Sequence, residues 1–306
     1  MCDEDGREAH AHLPVLADEV TFLLRPRRRG WVVDGTVGMG GHTERLLEAS
    51  DDAVRVLGLD ADPEALRRAG RRLARFGDRV VLSHGSFRRL AELAAAAGVD
   101  EAASILLDLG LSSYQLDESG RGFSFQGDEA LDMRFDPSAG PTAADLLNRL
   151  PQEELARIIF EYGEERHARR IARRIADGRR RAALARTPDL VAAVRDAVPR
   201  AAWPRRRHVA TRTFQAIRMA VNDEAQALME TLPQAAALLA RGGRFGVISF
   251  HSGEDRIVKR SFRSLQHEGS YVELDPSPVE PAADEIHDNP RARSAKLRVL
   301  ERREAA

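Results

Sequence analysis

Short apolar, β-branched runs alternate along the first third of the chain with longer stretches whose apolar positions follow helical spacing. Trp31 to Val37 (WVVDGTV) reads as a buried strand running into glycines, and a helix from Thr43 to Ala49 follows. Val54 to Asp60 (VRVLGLD) is a second strand. Pro63 then stands at a first-turn position and opens PEALRRAGRRLARFG, an amphipathic helix that ends at Gly77. Strand Val80 to Ser83, an Ala-rich helix from Phe87 to Ala97 closed by Gly98, and strand Ala103 to Leu109 continue the series. Strands this apolar need cover on both faces, which predicts a parallel α/β sheet.

After Asp108 the rhythm changes. From about 116 to 212 no strand pattern appears, only a Gly/Ser/Phe stretch (ESGRGFSFQGDE) and then helical spacing at Leu155, Ile158, Ile159, Tyr162 and at Ile171, Ile175. A long helix from Thr213 to about Ala240, a turn at Gly242 and Gly243, strand Arg244 to Phe250, helix Glu254 to Leu265 and strand Lys296 to Glu301 complete the sheet. The expected fold is α/β, with a discontinuous domain, 1–115 and 213–306, interrupted by an all-helical insertion at 116–212. Residues 275–292, rich in Pro, Asp and Glu, read as a mobile loop.

The 306 residues carry 47 basic and 48 acidic side chains, a formal charge of −1 that excludes both a uniformly basic nucleic-acid coat and an acidic disordered chain. Cys2 is the single cysteine, so no disulfide framework or cysteine-built zinc site is available. His10 and His12 lack companion ligands, and no metal site is expected. With no apolar leader and no run of about 18 apolar residues, the reading is a cytoplasmic protein without a membrane span. Locally the charge is uneven: sixteen arginines and three aspartates stand between Arg166 and Arg218. That excess, densest at Arg205, Arg206 and Arg207, is a candidate RNA-phosphate surface; a solvated helix face in an arginine-biased chain is the alternative.

The first strand runs into D34-G-T-V-G38-M-G40-G41-H42. Glycines between a strand and a helix let a ligand approach the backbone at the carboxyl edge of a sheet. Thr43 occupies the third glycine position of a dinucleotide fingerprint starting at Gly38, which weighs against a nicotinamide cofactor; a tight structural turn is the other reading. Asp60 ends the second strand where a carboxylate reaches ribose hydroxyls, and Asp62 is placed to cap the helix at Pro63. Phe87 lies either on an adenine face or in the core. Asp108 ends the fourth strand before the polar loop D108-L-G-L-S-S-Y-Q115, where a cofactor meets its substrate, or else caps a turn. His251, ending the fifth strand, reads first as a structural histidine and second as a general base.

DGTVGMGGH, GLDAD, DLGLSSYQLD, GRGFSF, LDMRF, EYGEE, RTFQAIRMAVNDE and SFHSGEDRIVK, in this order, closely resemble the bacterial 16S ribosomal RNA (cytosine-N4) methyltransferase family, which uses S-adenosylmethionine. The resemblance runs from about His12 to Arg302. It implies a Rossmann-like class I S-adenosylmethionine-methyltransferase sheet with an inserted all-helical domain that handles RNA. By motif match Gly40, Gly41 and His42 would contact the methionine end of the cofactor, Asp60 its ribose, Phe87 and Asp108 the adenine side, and Gln115 a further part of it. The implied substrate is the exocyclic amine of one cytidine in the decoding centre of the small ribosomal subunit. Tyr114 departs from the resemblance, standing where the family more often carries proline.

The N4 lone pair of cytosine is delocalised into the ring, so it attacks a methyl group only when held in line while an acceptor draws on its N–H bonds. Asp108 and Ser112 are the side-chain candidates for that acceptor, a backbone carbonyl of the loop being the alternative, and Tyr114 is a candidate to stack on the flipped base. An amino methyltransferase acting on DNA or on a different RNA, and a ribosome-assembly factor that keeps the cofactor only structurally, are the rival readings. A homodimer remains open.

Overall fold

The computed structural model describes residues 14–25, 30–205 and 207–304. Their helices and strands are, in order, α1 (Ala17–Leu24), β1 (Gly30–Asp34), α2 (Gly41–Glu48), β2 (Val54–Asp60), α3 (Pro63–Leu73), β3 (Val80–His84), α4 (Leu90–Ala96), β4 (Ala102–Asp108), α5 (Ser113–Asp117), α6 (Ala143–Arg149), α7 (Gln152–Glu161), α8 (Ala168–Arg179), α9 (Thr187–Ala197), α10 (Thr211–Val221), α11 (Glu224–Leu238), β5 (Leu239–Ser249), α12 (Ser252–His267), β6 (Tyr271–Glu273), α13 (Ala283–Asp288) and β7 (Lys296–Arg302). The chain divides into two compact units, 1–110 with 228–306, and 111–227.

In the first unit seven strands form one sheet in the order β3-β2-β1-β4-β5-β7-β6, parallel except for β7, which runs antiparallel to both its neighbours. Successive strand side chains point to opposite faces, and the burial follows that period. Val33, Leu57, Ile105, Leu107 and Val247 pack with Leu90 and Leu93 of α4, Leu232 of α11 and Phe262 of α12. Their neighbours Val32, Val56, Leu106 and Ile248 pack on the other face with Val20 and Leu24 of α1 and Leu46 and Leu47 of α2. The helix α3 begins as its sequence demands: Pro63 opens it and Asp62 caps it, Oδ1 accepting from Glu64 N at 3.0 Å.

The second unit has its own core, in which Leu155, Ile158 and Ile159 of α7, Ile171 and Ile175 of α8, Leu190 and Val194 of α9 and Phe214 and Ile217 of α10 are buried together. Because the apolar face of α10 joins this core, the unit spans 111–227 where the sequence placed an insertion at 116–212.

Three other expectations change. The helix expected from Thr213 to Ala240 is two helices, interrupted where Asp223 adopts a left-handed φ of 49°. Asn222 fixes the break: its amide nitrogen donates to Met133 O at 2.8 Å and its Oδ1 accepts from Phe135 N at 2.7 Å. The segment 275–292 is pinned rather than loose. Val279 and Leu297 exchange backbone hydrogen bonds, α13 lies within it, and Glu285 Oε1 accepts from Leu16 N at 2.7 Å. The strands also include β6, which the sequence pattern did not announce.

Candidate active site

The strand order reverses direction between β1 and β4, and the carboxyl ends of these strands and of β2 carry Asp34, Asp108 and Asp60. Such a switch point is where open α/β sheets take ligands. The glycine turn between β1 and α2 is stitched to both neighbouring strands: Gly35 N donates to Leu106 O, Val37 N to Leu59 O, each at 2.9 Å, and Gly38 N to Asp60 Oδ2 at 2.8 Å. Gly40 caps α2 with φ 82°, and a Cβ there would press on Leu73 at about 3.1 Å, so a glycine is needed for both conformation and packing.

Asp60 accepts Gly38 N on one oxygen and Asp62 N on the other, both at 2.8 Å. Burial nevertheless pushes its carboxyl up to about 6, against the pull of those two bonds. Asp34 is buried deeper, at 1% exposure, and burial raises its pKa too. Its Oδ2 accepts from Thr43 Oγ1 at 2.7 Å and its Oδ1 from Thr36 N at 3.2 Å. Thr36 Oγ1 in turn accepts from Asp108 N at 2.6 Å. His42, in the first turn of α2, is 6% exposed. Its Nε2 lies 3.6 Å from Asp108 Oδ2, and both ring nitrogens and Asp108 Oδ1 are buried without a hydrogen-bond partner. Phe87 is half-buried against the core beneath β1 and β4, its carbonyl accepting from Thr231 Oγ1 at 3.1 Å. His251 caps α12: Nδ1 accepts from Glu254 N at 3.3 Å while Glu254 Oε2 accepts from Phe250 N and His251 N. That role is structural, the first of its two sequence readings.

In the inserted unit Ser112 and Gln115 form a capping box on α5. Ser112 Oγ accepts from Gln115 N at 3.2 Å, and Gln115 Oε1 accepts from Ser112 N at 3.0 Å. Tyr114 lies beside the Arg121 guanidinium, 6.0 Å from ring centre to Cζ. The arginines sort into two classes. Arg174, Arg180, Arg186 and Arg218 pair with Asp196, Asp177, Asp128 and Glu224, and Arg195 and Arg200 stack on Trp203. Arg166, Arg169, Arg170 and Arg173 are exposed along one side of α8 and just before it, opposite the buried Ile171 and Ile175, with no carboxylate partner among the described residues. Arg205 and Arg207 are exposed as well; Arg206, like Cys2, His10 and His12, lies outside the described residues. Among the described residues no cluster of metal-ligating side chains occurs and no helix is long and apolar enough to cross a membrane.

A profile of the MraW methylase family matches residues 9–303. The chain belongs to that family. Ribosomal RNA small subunit methyltransferase H of Syntrophotalea carbinolica is 50% identical over 97% of this chain and 99% of its own length. The proteins of that name from Pelobacter propionicus and Heliobacterium modesticaldum are each 47% identical, over 95% of this chain and 98% of their own. This MraW-family chain is accordingly a methyltransferase that uses S-adenosylmethionine.

Sequence reasoning missed the polar seam beneath the methylase's glycine turn, Asp34, Thr36 and Thr43. A signal was present: Asp34 ends an otherwise apolar strand, and a buried carboxylate there needs donors close by.

Proposed function

We propose that this methylase transfers a methyl group from S-adenosylmethionine to the exocyclic N4 of one cytidine in the 16S ribosomal RNA of the small subunit, in the cytoplasm. The sheet unit is then the methyltransferase domain and the inserted unit its RNA-recognition domain. The observation that carries this reading is the group of buried polar atoms lacking partners where β1 and β4 meet, Asp108 Oδ1 and the His42 ring nitrogens. Unpaired buried polar atoms are costly, so their collection at the switch point suits a polar ligand.

The residues fit the cofactor. After its two backbone bonds Asp60 keeps a lone pair on each oxygen, enough to accept both ribose hydroxyls. Gly40 and Gly41 begin α2, whose first-turn N–H groups have no intrahelical partner and suit a carboxylate. Phe87 offers its ring to the adenine, and Gln115 joins the contacts by motif match. When bound, S-adenosylmethionine supplies an electrophilic methyl on a sulfonium that leaves as a neutral thioether.

Asp108 holds the target amine. Its carboxylate, 27% exposed and on the adenine side by motif match, accepts one N4–H, which draws electron density onto the nitrogen as it pyramidalises. Ser112, whose Oγ caps α5, is the second side-chain candidate for the same role. Tyr114 stacks on the flipped base, and the exposed arginines of α8 with Arg205 and Arg207 hold phosphates.

The test is transfer of labelled methyl to small subunits from cells lacking this protein, with nucleoside mass spectrometry. N4-methylcytidine at one position is expected; methyl on any other nucleoside overturns the substrate assignment.

A further inference from the structure

Trp203 closes the single turn Arg200–Ala202 that follows α9. Its indole is held in place: Nε1 donates to Val198 O at 3.0 Å, the backbone N–H donates to Arg200 O at 3.1 Å, and the half-buried ring packs against the core of the inserted unit. Two guanidiniums lie over that ring, those of Arg195 and Arg200, each with Cζ 5.4 Å from a ring centre. Both arginines are exposed, and among the described residues neither has a carboxylate partner. Asp196, next to Arg195 in the chain, pairs with Arg174 instead. Elsewhere in this unit exposed arginines do find carboxylates, as Arg157 does with Glu154 and Glu161. Arg195 also stands near His208, whose pKa is lowered by burial first and by that positive charge second, and whose ring stacks on Phe125 at 4.7 Å. A guanidinium engaged through its face keeps its in-plane N–H groups for another acceptor, and here no carboxylate of the protein supplies one. Two like charges gathered on one ring repel each other, so an anion completes the arrangement.

We propose that Trp203, Arg195 and Arg200 form a phosphate clamp for the backbone of single-stranded RNA. The indole holds both guanidiniums in place before the RNA arrives, and each then donates to phosphodiester oxygens. The proposal rests on the reading of the inserted unit as the RNA-recognition domain, and it adds to the arginines of α8 a second site between α9 and α10. A polyanion fits this segment because its charge continues: Arg205 and Arg207 are exposed just beyond Trp203, and Asp196, already engaged, is the single acidic residue from 195 to 207. A strand whose target base is unpaired for methylation presents its phosphates without a complementary strand, which suits a clamp built on one ring.

The experiment measures affinity for 16S ribosomal RNA across a salt series. Arg195→Gln combined with Arg200→Gln should flatten the slope of log affinity against log salt by roughly 1.4, at about 0.7 for each phosphate contact of a single strand. Its urea midpoint should match wild type, since both side chains are exposed. Arg195→Lys combined with Arg200→Lys keeps both charges and therefore the slope, yet should bind roughly three- to tenfold more weakly, because an ammonium has no planar face to lay on the indole. Trp203→Leu should repeat the lysine result, with the slope kept and the affinity reduced. A lowered urea midpoint with an unchanged slope in the double glutamine variant would make the arginines no more than a cover for the indole and overturn the proposal. Polyglutamate competing with the RNA as strongly as polyuridylate would also overturn it, assigning the surface to an acidic protein segment. If changing Arg166, Arg169, Arg170 and Arg173 to glutamine flattens the slope while the double glutamine variant leaves it unchanged, the clamp alone fails; if wild type binds the RNA with no salt dependence, the reading of the inserted unit fails with it.

Discussion

The Thr43 hydroxyl donates to Asp34 Oδ2 at 2.7 Å with neither residue more than 1% exposed, tying the first turn of α2 to the end of β1. The same carboxylate accepts from Thr36 N, so one buried aspartate sets both ends of the glycine turn. Replacing Thr43 with valine keeps the shape and removes the donor. The expected cost is about 1–3 kcal/mol of unfolding free energy, the penalty for stripping a buried acceptor, measurable by urea titration. A variant as stable as wild type would show that Asp34 finds another donor.

With Asp60 as the proposed ribose-binding carboxylate, cofactor binding should be sensitive to pH. Its carboxyl, pushed up to about 6 by burial, must be ionised to accept two ribose hydroxyls. Affinity for S-adenosylmethionine should therefore rise as pH rises through about 6 and level off above it. Folding runs the other way. Between the ordinary carboxylate value of 3.8 and about 6 the folded chain holds a proton that the unfolded chain has released, so this group's contribution to stability declines as pH increases across that window. Asp60→Asn should weaken binding by roughly ten- to a hundredfold, as expected for losing charge-assisted hydrogen bonds, and should erase the inflection. Calorimetry from pH 5 to about 8 reads both effects.

The proposed phosphate contacts of the α8 arginines predict a salt-dependent signature. Changing Arg166, Arg169, Arg170 and Arg173 to glutamine should flatten the slope of log affinity for ribosomal RNA against log salt by roughly 3, at about 0.7–0.9 for each phosphate no longer neutralised. Arg174 and Arg180, already paired with Asp196 and Asp177, should matter less when changed in the same way. An unchanged slope in the quadruple variant moves the RNA footprint off this helix.

Phe262 is fully buried and meets Phe245 edge to face at 5.6 Å, joining α12 to β5. Phe262→Ala should cost about 3–5 kcal/mol and shift the denaturation midpoint without altering the relative preference for RNA substrates. A loss under about 1 kcal/mol would mean that the neighbouring helices collapse into the space.

Much of this was readable from residue order. Strands β1, β2 and β4 each end an apolar run with an aspartate, so Asp34, Asp60 and Asp108 at one sheet edge follow from period and topology together. The position of Thr43 was legible, but its role was not: against a dinucleotide fingerprint it looks like a missing glycine, and only the fold brings its hydroxyl to Asp34. The break after Val221 was hidden because RTFQAIRMAVNDEAQAL keeps helical spacing throughout. What interrupts it is the side chain of Asn222 bonding to residues 89 and 87 positions away, a tertiary effect that local propensity does not encode. The pinned segment 275–292 was misread for the same reason: Glu285 serves a backbone N–H 269 positions earlier in the chain.

The order of the strands also bears on how the chain is made. β4 acquires its neighbour β5 only after the whole inserted unit has been synthesised, since β4 ends at Asp108 and β5 starts at Leu239. At about 5–20 residues per second, the open edge of a nascent four-stranded sheet waits on the order of ten seconds for its partner on the ribosome. Unpaired apolar edges invite intermolecular strand addition, so chaperone depletion should trap this protein as a co-translational aggregate more readily than a relative whose insert has been excised.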